Sequence, residues 1–146
     1  MRRLGVDVGA ARIGVAVSEG SLALPLETLK AGAQSFAELI SIAESRAATV
    51  IYVGLPLSLS GAKTESSRLA LAYAKELSAR QSIPVRLIDE RLTTKTAQQR
   101  LHQVGKSTKS SKSIIDAQAA ALILEFALAS ERDGALAGKS VEELDA

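Results

Sequence analysis

The chain has 146 residues, which is enough for one domain with a hydrophobic core. Apolar residues make up 47% and charged residues 23%, as in ordinary soluble proteins, and a net charge of +2 does not by itself indicate a nucleic-acid partner. The absence of cysteine excludes disulfides and thiolate sites, and the single histidine, His102, excludes a multi-histidine zinc site. Any metal must therefore be a hard cation with oxygen ligands, such as Mg²⁺ or Mn²⁺.

The first predicted element is a β-hairpin made of two apolar runs in residues 4–17, LGVDVGAARIGVAV. Alternation along the first strand places Asp7 on the face opposite Leu4. An ionised carboxylate inside a strand is costly unless a cation or hydrogen-bond donors compensate it. Two interpretations follow: Asp7 binds a cation that enters through the space left by Gly5 and Gly9, or it accepts hydrogen bonds from a nearby loop.

Strand and helix patterns alternate downstream of the hairpin, which predicts strands joined by helical crossovers. The predicted elements are an edge strand at 22–29 containing Pro25, a helix from Ser35 with a Ser35–Glu38 capping box, a strand at 50–54, a helix from Thr64 or Glu65 to about Arg80, a strand at 83–88, a helix from Thr93 to about Val104, a loop at 105–113, and a helix from Ile114, capped by Ser113, to about Arg132. The sequence therefore predicts an α/β fold with a mixed five-stranded sheet, three antiparallel strands and then two parallel ones, flanked by helices.

The predicted domain covers residues 1–134, and the acidic segment 135–146 is expected to be a flexible C-terminal tail. No segment is expected to cross a membrane, because the longest apolar stretch, 114–129, is interrupted by Asp116, Gln118 and Glu125. The first strand also follows Met1 closely, without an apolar signal region. A cytoplasmic location is the resulting expectation.

Three acidic positions are not explained by ordinary solvation. Asp7 lies within the first strand, Asp89 and Glu90 end the last strand, and Asp116 begins an otherwise apolar helix. Ligands collect near the carboxyl ends of parallel strands, where these side chains could converge. Oxygen ligands without histidine or thiolate suit a pair of Mg²⁺ ions, which can activate water and stabilise the leaving oxygen of a phosphodiester.

Each acid also has a purely structural interpretation. Asp116 could favour a helix N-terminus, where the helix dipole stabilises negative charge. Asp89 shares its strand face with Arg91, so the two could form a local ion pair or a cap. Because adjacent strand residues point to opposite faces, at most one of Asp89 and Glu90 faces the site. We choose Glu90 as the residue on the metal side.

The loop at 105–113, GKSTKSSKS, carries Lys106, Lys109 and Lys112. A run of this kind is usually an ordinary solvated loop. Beside a cluster of acids, however, a basic loop is what binding to a phosphate backbone would use.

Four sequence blocks together resemble a known family: VDVGAARIGVAV, VIYVGLPLSLSG, VRLIDERLTT and KSIIDAQAAALILE. Their order and their extent, from Leu4 to about Leu128, resemble the YqgF family, also called RuvX or the pre-16S rRNA nucleases, and formerly described as Holliday-junction resolvase-like. The resemblance implies an RNase H-like fold. It also implies a metal-dependent nuclease, a hydrolase acting on ester bonds, that trims the 5′ end of the small-subunit rRNA precursor in ribosome biogenesis. By the same resemblance, Asp7, Glu90 and Asp116 would be the family's metal-binding acids.

The working hypothesis is that Asp7 bridges two Mg²⁺ or Mn²⁺ ions, while Glu90 and Asp116 each complete one coordination sphere. Arg12, Arg91 and the lysine loop would hold the nucleic-acid backbone. One alternative is a resolvase of four-way DNA junctions, which would need a homodimer. Another is a non-catalytic RNA-binding factor for assembly of the pre-ribosomal particle. The sequence leaves open whether the protein is a monomer or a homodimer.

Overall fold

The computed structural model describes residues 2–91, 111–131 and 135–145, with side chains at all of these except 111–114 and 145. In these ranges the chain forms, in order, β1 (Arg2–Val8), β2 (Arg12–Glu19), β3 (Leu22–Lys30), α1 (Gln34–Ser45), β4 (Ala48–Leu55), α2 (Glu65–Arg80), β5 (Val85–Asp89), α3 (Ser111–Ser130), β6 (Lys139–Ser140) and α4 (Val141–Asp145). The predicted helix at 93–104 and nearly all of the predicted lysine loop lie outside the described residues.

The strands form one mixed sheet in the order β3-β2-β1-β4-β5-β6. The hairpin strands β1, β2 and β3 are antiparallel, and β4 and β5 run parallel to β1. Pro25 lies in the edge strand β3, beside a register shift at Val15 and Ala16 of β2. This position suits proline, which cannot donate a hydrogen bond to a ladder. The predicted α/β class and the mixed sheet are confirmed.

The prediction of five strands was wrong by one. The two-residue strand β6 pairs antiparallel with β5, with Ser140 opposite Arg86. Arg86 secures this segment, because its Nε donates to the carbonyl oxygen of Ala137 at 2.9 Å and its Nη2 to that of Gly138 at 2.6 Å. A strand of two residues is too short to show an alternating pattern, so the expectation of a tail from residue 135 did not include it. The flexibility of that segment stays a prediction.

The core has two parts, one on each face of the sheet. Helices α1 and α2 cover one face, where their apolar residues pack with Leu4 and Val6. Helix α3 covers the other face and packs against Val50 and Tyr52. Helices on both faces were predicted, and this arrangement leaves the carboxyl ends of β1, β4 and β5 together at one edge. In the described residues, no helix is both long and apolar enough to span a membrane.

Two predicted helix starts differ from the structure. Helix α1 begins at Gln34 after Ala33, which makes no side-chain capping bond, so the capping box at Ser35 was wrong. Ser35 is buried instead, and its Oγ donates to the carbonyl oxygen of Gly32 and lies 2.9 Å from Tyr73 Oη. Residues 111–113 are already part of α3, so the predicted helix start at Ile114 with Ser113 as its cap was wrong. The predicted start of α2 is confirmed, with Thr64 as its N-cap.

Tyr52 fastens the end of α3 to the sheet. Its hydroxyl donates to Glu131 Oε2 and accepts from the backbone N–H of Ala137 at 3.2 Å. Arg3 donates two hydrogen bonds to the same carboxylate, from Nε at 3.0 Å and from Nη2 at 3.1 Å. Burial and the bond to Glu131 raise the pKa of Tyr52 to about 12, so its hydroxyl stays a donor at neutral pH. The network thereby fixes the end of α3 that is remote from Asp116.

Replacing Tyr52 by phenylalanine should destabilise the fold by about 1 to 3 kcal/mol, because the buried N–H of Ala137 would lose its partner. The aromatic ring and its packing would be kept. Urea denaturation followed by circular dichroism measures the change, and the slope of the transition should not alter. An unchanged midpoint would show that the hydroxyl adds nothing to stability.

Candidate active site

The three candidate acids come from three separate elements. Asp7 is next to last in β1, and Glu90 directly follows β5. Asp116 enters from α3 across the face of the hairpin. Gly14, which stands opposite Asp7 in the β1–β2 ladder, touches the backbone of Asp116 so closely that a Cβ on Gly14 would overlap its carbonyl oxygen. The fold therefore brings Asp116 beside Asp7, although they are far apart in sequence.

Glycines on the α3 face explain how the helix comes so close to the sheet. A Cβ at Gly5 would lie 2.6 Å from the carbonyl oxygen of Ala120 and 2.7 Å from Leu124 Cβ. The expectation that Gly5 leaves room for a ligand at Asp7 was therefore wrong, since α3 fills that space. Gly9 serves the turn instead, where its N–H donates to the carbonyl oxygen of Arg12 at 2.9 Å.

Burial and mutual repulsion raise the pKa values of two of the acids. Burial, followed by repulsion from Asp116, raises the pKa of Asp7 to about 6. Burial, followed by repulsion from Asp7 and then Asp89, raises the pKa of Glu90 to about 7. Asp7 thus interacts with both other acids. Among residues 2–91, 111–131 and 135–145, none donates a hydrogen bond to the Asp7 side chain, so in this part of the chain nothing supports the loop-donor interpretation.

Asp89 and Glu90 point in different directions. The Asp89 carboxylate accepts from Arg91, both from its backbone N–H at 3.0 Å and from its Nε, which lowers the pKa of Asp89. The Glu90 carboxyl lies against Gly54, where a Cβ would be 2.7 Å from Glu90 Oε2 and 2.5 Å from Ile123 of α3. Glu90 therefore shares the α3 face of the sheet with Asp7, and Asp89 forms the local ion pair; a role for Glu90 in metal binding stays a prediction.

Arg12 has a partner that the sequence did not indicate. Its Nε donates to Asp116 Oδ2 at 2.7 Å. Asp116 also lies beyond the first turn of α3, where the helix dipole has little effect, so the dipole does not explain the carboxylate. Of the other predicted basic contacts, Arg91 pairs with Asp89. Lys106 and Lys109 lie outside the described residues, as does the side chain of Lys112.

The donor set suits a hard divalent cation in its chemistry. The candidate ligands are carboxylate oxygens, and Asp7 has a raised pKa and lacks a hydrogen-bond donor among the described residues. Its geometry is less complete: within the described ranges, no group of three or more acidic or histidine side chains is arranged to hold a metal. Asp116, the third candidate ligand, is already paired with Arg12. A cation bound at Asp7 would therefore reach Asp116 only after Arg12 moves.

The fold belongs to the RNase H-like class that includes RuvC. "T. thermophilus RuvC in complex with Holliday junction substrate" superposes with a TM-score of 0.58 at 16% identity, covering 96% of this chain and 99% of that one. A second Thermus thermophilus RuvC structure gives a TM-score of 0.52 at 17% identity, covering 88% of this chain and 94% of that one. At such low identity the likeness establishes the fold alone.

Sequence comparison identifies the family. The family model described as RuvX, Holliday junction resolvase, matches residues 1–130. A relative from Leifsonia xyli named "Putative pre-16S rRNA nuclease" is 44% identical over 134 residues, which cover 89% of this chain and 86% of the relative. One of the same name from Nocardioides is 42% identical over 150 residues, with 97% and 96% covered. The chain belongs to the RuvX family, which confirms the resemblance found in its sequence blocks.

Proposed function

We propose that this protein is a metal-dependent nuclease that hydrolyses phosphodiester bonds at the 5′ end of precursor 16S rRNA. The observation that carries this proposal is that the Asp7 carboxylate, near the carboxyl end of β1, is repelled by the carboxylates of both Asp116 and Glu90. The name shared by the Leifsonia and Nocardioides relatives supports the choice of substrate. Such a role would place the protein in the cytoplasm, with the pre-ribosomal particle as a partner.

Each acid has a distinct task in the proposed site. Asp7, whose carboxylate is repelled by both of the others, would be the central ligand, and Glu90 and Asp116 would complete the binding of Mg²⁺ or Mn²⁺. Bound Mg²⁺ or Mn²⁺ would supply Lewis-acid activation of water and stabilise the leaving oxygen. Arg12, Arg91 and the lysines at 106, 109 and 112 would bind the phosphate backbone and hold the scissile bond against the acids.

The second candidate is resolution of four-way DNA junctions. The description of the family model as a Holliday junction resolvase favours it. The same three acids would serve, because both reactions break a phosphodiester. A junction, however, presents two strands to be cut, so this activity would require a homodimer with two sites. The choice of substrate therefore separates the candidates.

A cleavage assay tests the proposal. Purified protein is incubated with a labelled precursor rRNA leader or a four-way DNA junction, in Mg²⁺, Mn²⁺ or EDTA. We expect the leader to be cut in either metal and to remain intact in EDTA. The matched control is Glu76→Gln, which removes an exposed carboxylate on α2 and should cut normally. Cleavage of the junction alone would favour the resolvase. RNA binding without cleavage in either metal would contradict a nuclease and favour an assembly factor.

A further inference from the structure

The ion pair between Arg12 and Asp116 joins two groups that the proposed function assigns to different partners. Asp116 is a candidate metal ligand, and Arg12 a candidate phosphate contact. In the structure Arg12 Nε donates a hydrogen bond to Asp116 Oδ2 at 2.7 Å. While this bond is made, that oxygen is not available to a cation, and that N–H is not available to a phosphate. A carboxylate oxygen that accepts a guanidinium N–H offers less charge to a cation, and the guanidinium offers one donor fewer to a phosphate.

The backbones that carry the two side chains are held firmly. Arg12 opens β2 directly after a turn closed by the hydrogen bond from Gly9, and it stands opposite Lys30 in the β2–β3 ladder. Asp116 is pressed against Gly14. The side chains themselves remain accessible, since 41% of the Arg12 side chain and 23% of that of Asp116 are exposed. The pair can therefore separate by side-chain rotation alone, without moving α3 or the sheet.

We infer that the Arg12–Asp116 ion pair is exchangeable and couples binding of the divalent cation to binding of the nucleic acid. A cation that takes Asp116 frees Arg12 for a phosphate, and a phosphate that takes Arg12 frees Asp116 for the cation. Each ligand therefore tightens the binding of the other, as thermodynamic reciprocity requires. The site would favour the cation and nucleic acid together over either one alone. This inference rests on the proposed function, since it assumes that both ligands bind at this site.

Mn²⁺ binding measured by electron paramagnetic resonance, with and without a single-stranded RNA 12-mer that is checked to remain intact, tests the coupling. In the wild type, the RNA should tighten Mn²⁺ binding. In Arg12→Ala, Mn²⁺ alone should bind about two- to fivefold more tightly, because a partly exposed competing pair is removed. In this variant RNA should increase the Mn²⁺ affinity less than it does in the wild type. The reason is that RNA can no longer draw the Arg12 side chain away from Asp116.

The matched control is Arg80→Ala. Arg80 Nε contacts Glu76 Oε2 at the same distance, 2.7 Å, but this pair lies on α2. Its removal should leave both Mn²⁺ affinities at the wild-type values. If Arg12→Ala does not fold, Arg12→Lys, which keeps the charge but not the Nε donor, should shift both affinities less and in the same direction. Wild-type affinities in the Arg12 variants would overturn the coupling alone, whereas a wild type that binds neither Mn²⁺ nor RNA would overturn the proposed function as well.

Discussion

Asp7→Asn should abolish the proposed nuclease activity and, at neutral pH, make the metal-free protein more stable. Asparagine keeps the size of the side chain and removes its charge, so the cation would lose its central ligand. Loss of about 4 kcal/mol of transition-state stabilisation corresponds to a rate about 10³-fold lower. Few substitutions in a buried site are expected to stabilise the fold, so the combination is diagnostic of a ligand position.

The stability gain follows from the raised pKa of Asp7. Its carboxyl titrates near 3.8 when unperturbed and near 6 in the folded protein, where burial and Asp116 disfavour the charge. The folded state therefore binds the proton more tightly than the unfolded state. The resulting penalty is absent below pH 4, grows as the pH rises, and is complete above pH 6. The difference corresponds to about 2 to 3 kcal/mol, which Asp7→Asn should recover at pH 7.5.

Urea denaturation in EDTA at pH 7.5 and at pH 4 measures the effect. The midpoint of Asp7→Asn should exceed that of the wild type at pH 7.5, and the two should approach each other at pH 4. Glu76→Gln, which neutralises an exposed acid far from the site, should shift the midpoint little at either pH. A variant less stable than the wild type at pH 7.5 would mean that the carboxylate is a structural hydrogen-bond acceptor.

Gly14→Ala should destabilise the protein by about 3 kcal/mol or more and disable the site as well. The new Cβ would overlap the backbone carbonyl of Asp116, which cannot rotate away as a side chain could. The start of α3 would have to lift from the sheet and carry Asp116 with it. A displacement of about 1 Å at a reacting centre can cost about 10²-fold in rate. Stability and cleavage should therefore fall together.

Gly20→Ala is the matched control for this substitution. Gly20 has a φ of 60°, and a Cβ there would meet nothing within 4 Å. Only the left-handed backbone strain of about 1 kcal/mol should appear, with cleavage unchanged. Thermal unfolding and the leader-cleavage assay give both readouts. If Gly14→Ala is no more harmful than Gly20→Ala, close packing of α3 on the sheet is not what positions Asp116.

Local patterns were enough to predict much of this molecule. Alternating apolar residues predicted the hairpin. Asp7 was predicted as a functional residue because an ionised carboxylate inside an apolar strand is costly whatever the rest of the fold is. Strand alternation and the nearby Arg91 predicted that Asp89 and Glu90 point in different directions, and the contacts of both residues show this.

The features that local patterns missed depend on distant parts of the chain. Gly5 was expected to leave space for a ligand at Asp7, because the sequence does not show that α3 covers this face of β1. Arg12 and Asp116 are separated by 104 residues, so no spacing rule connects them. Ser35 fits a capping box, but its hydroxyl is taken by the buried contact with Tyr73.

Mn²⁺ titration of the EDTA-stripped protein, followed by its thermal unfolding, shows whether Asp7 binds a divalent cation. We expect Mn²⁺ to bind saturably and to raise the unfolding temperature of the wild type, since a ligand that binds only the folded state stabilises it. Both effects should disappear in Asp7→Asn. Absence of saturable binding, or the same stabilisation of Asp7→Asn by Mn²⁺, would contradict a cation site built on Asp7.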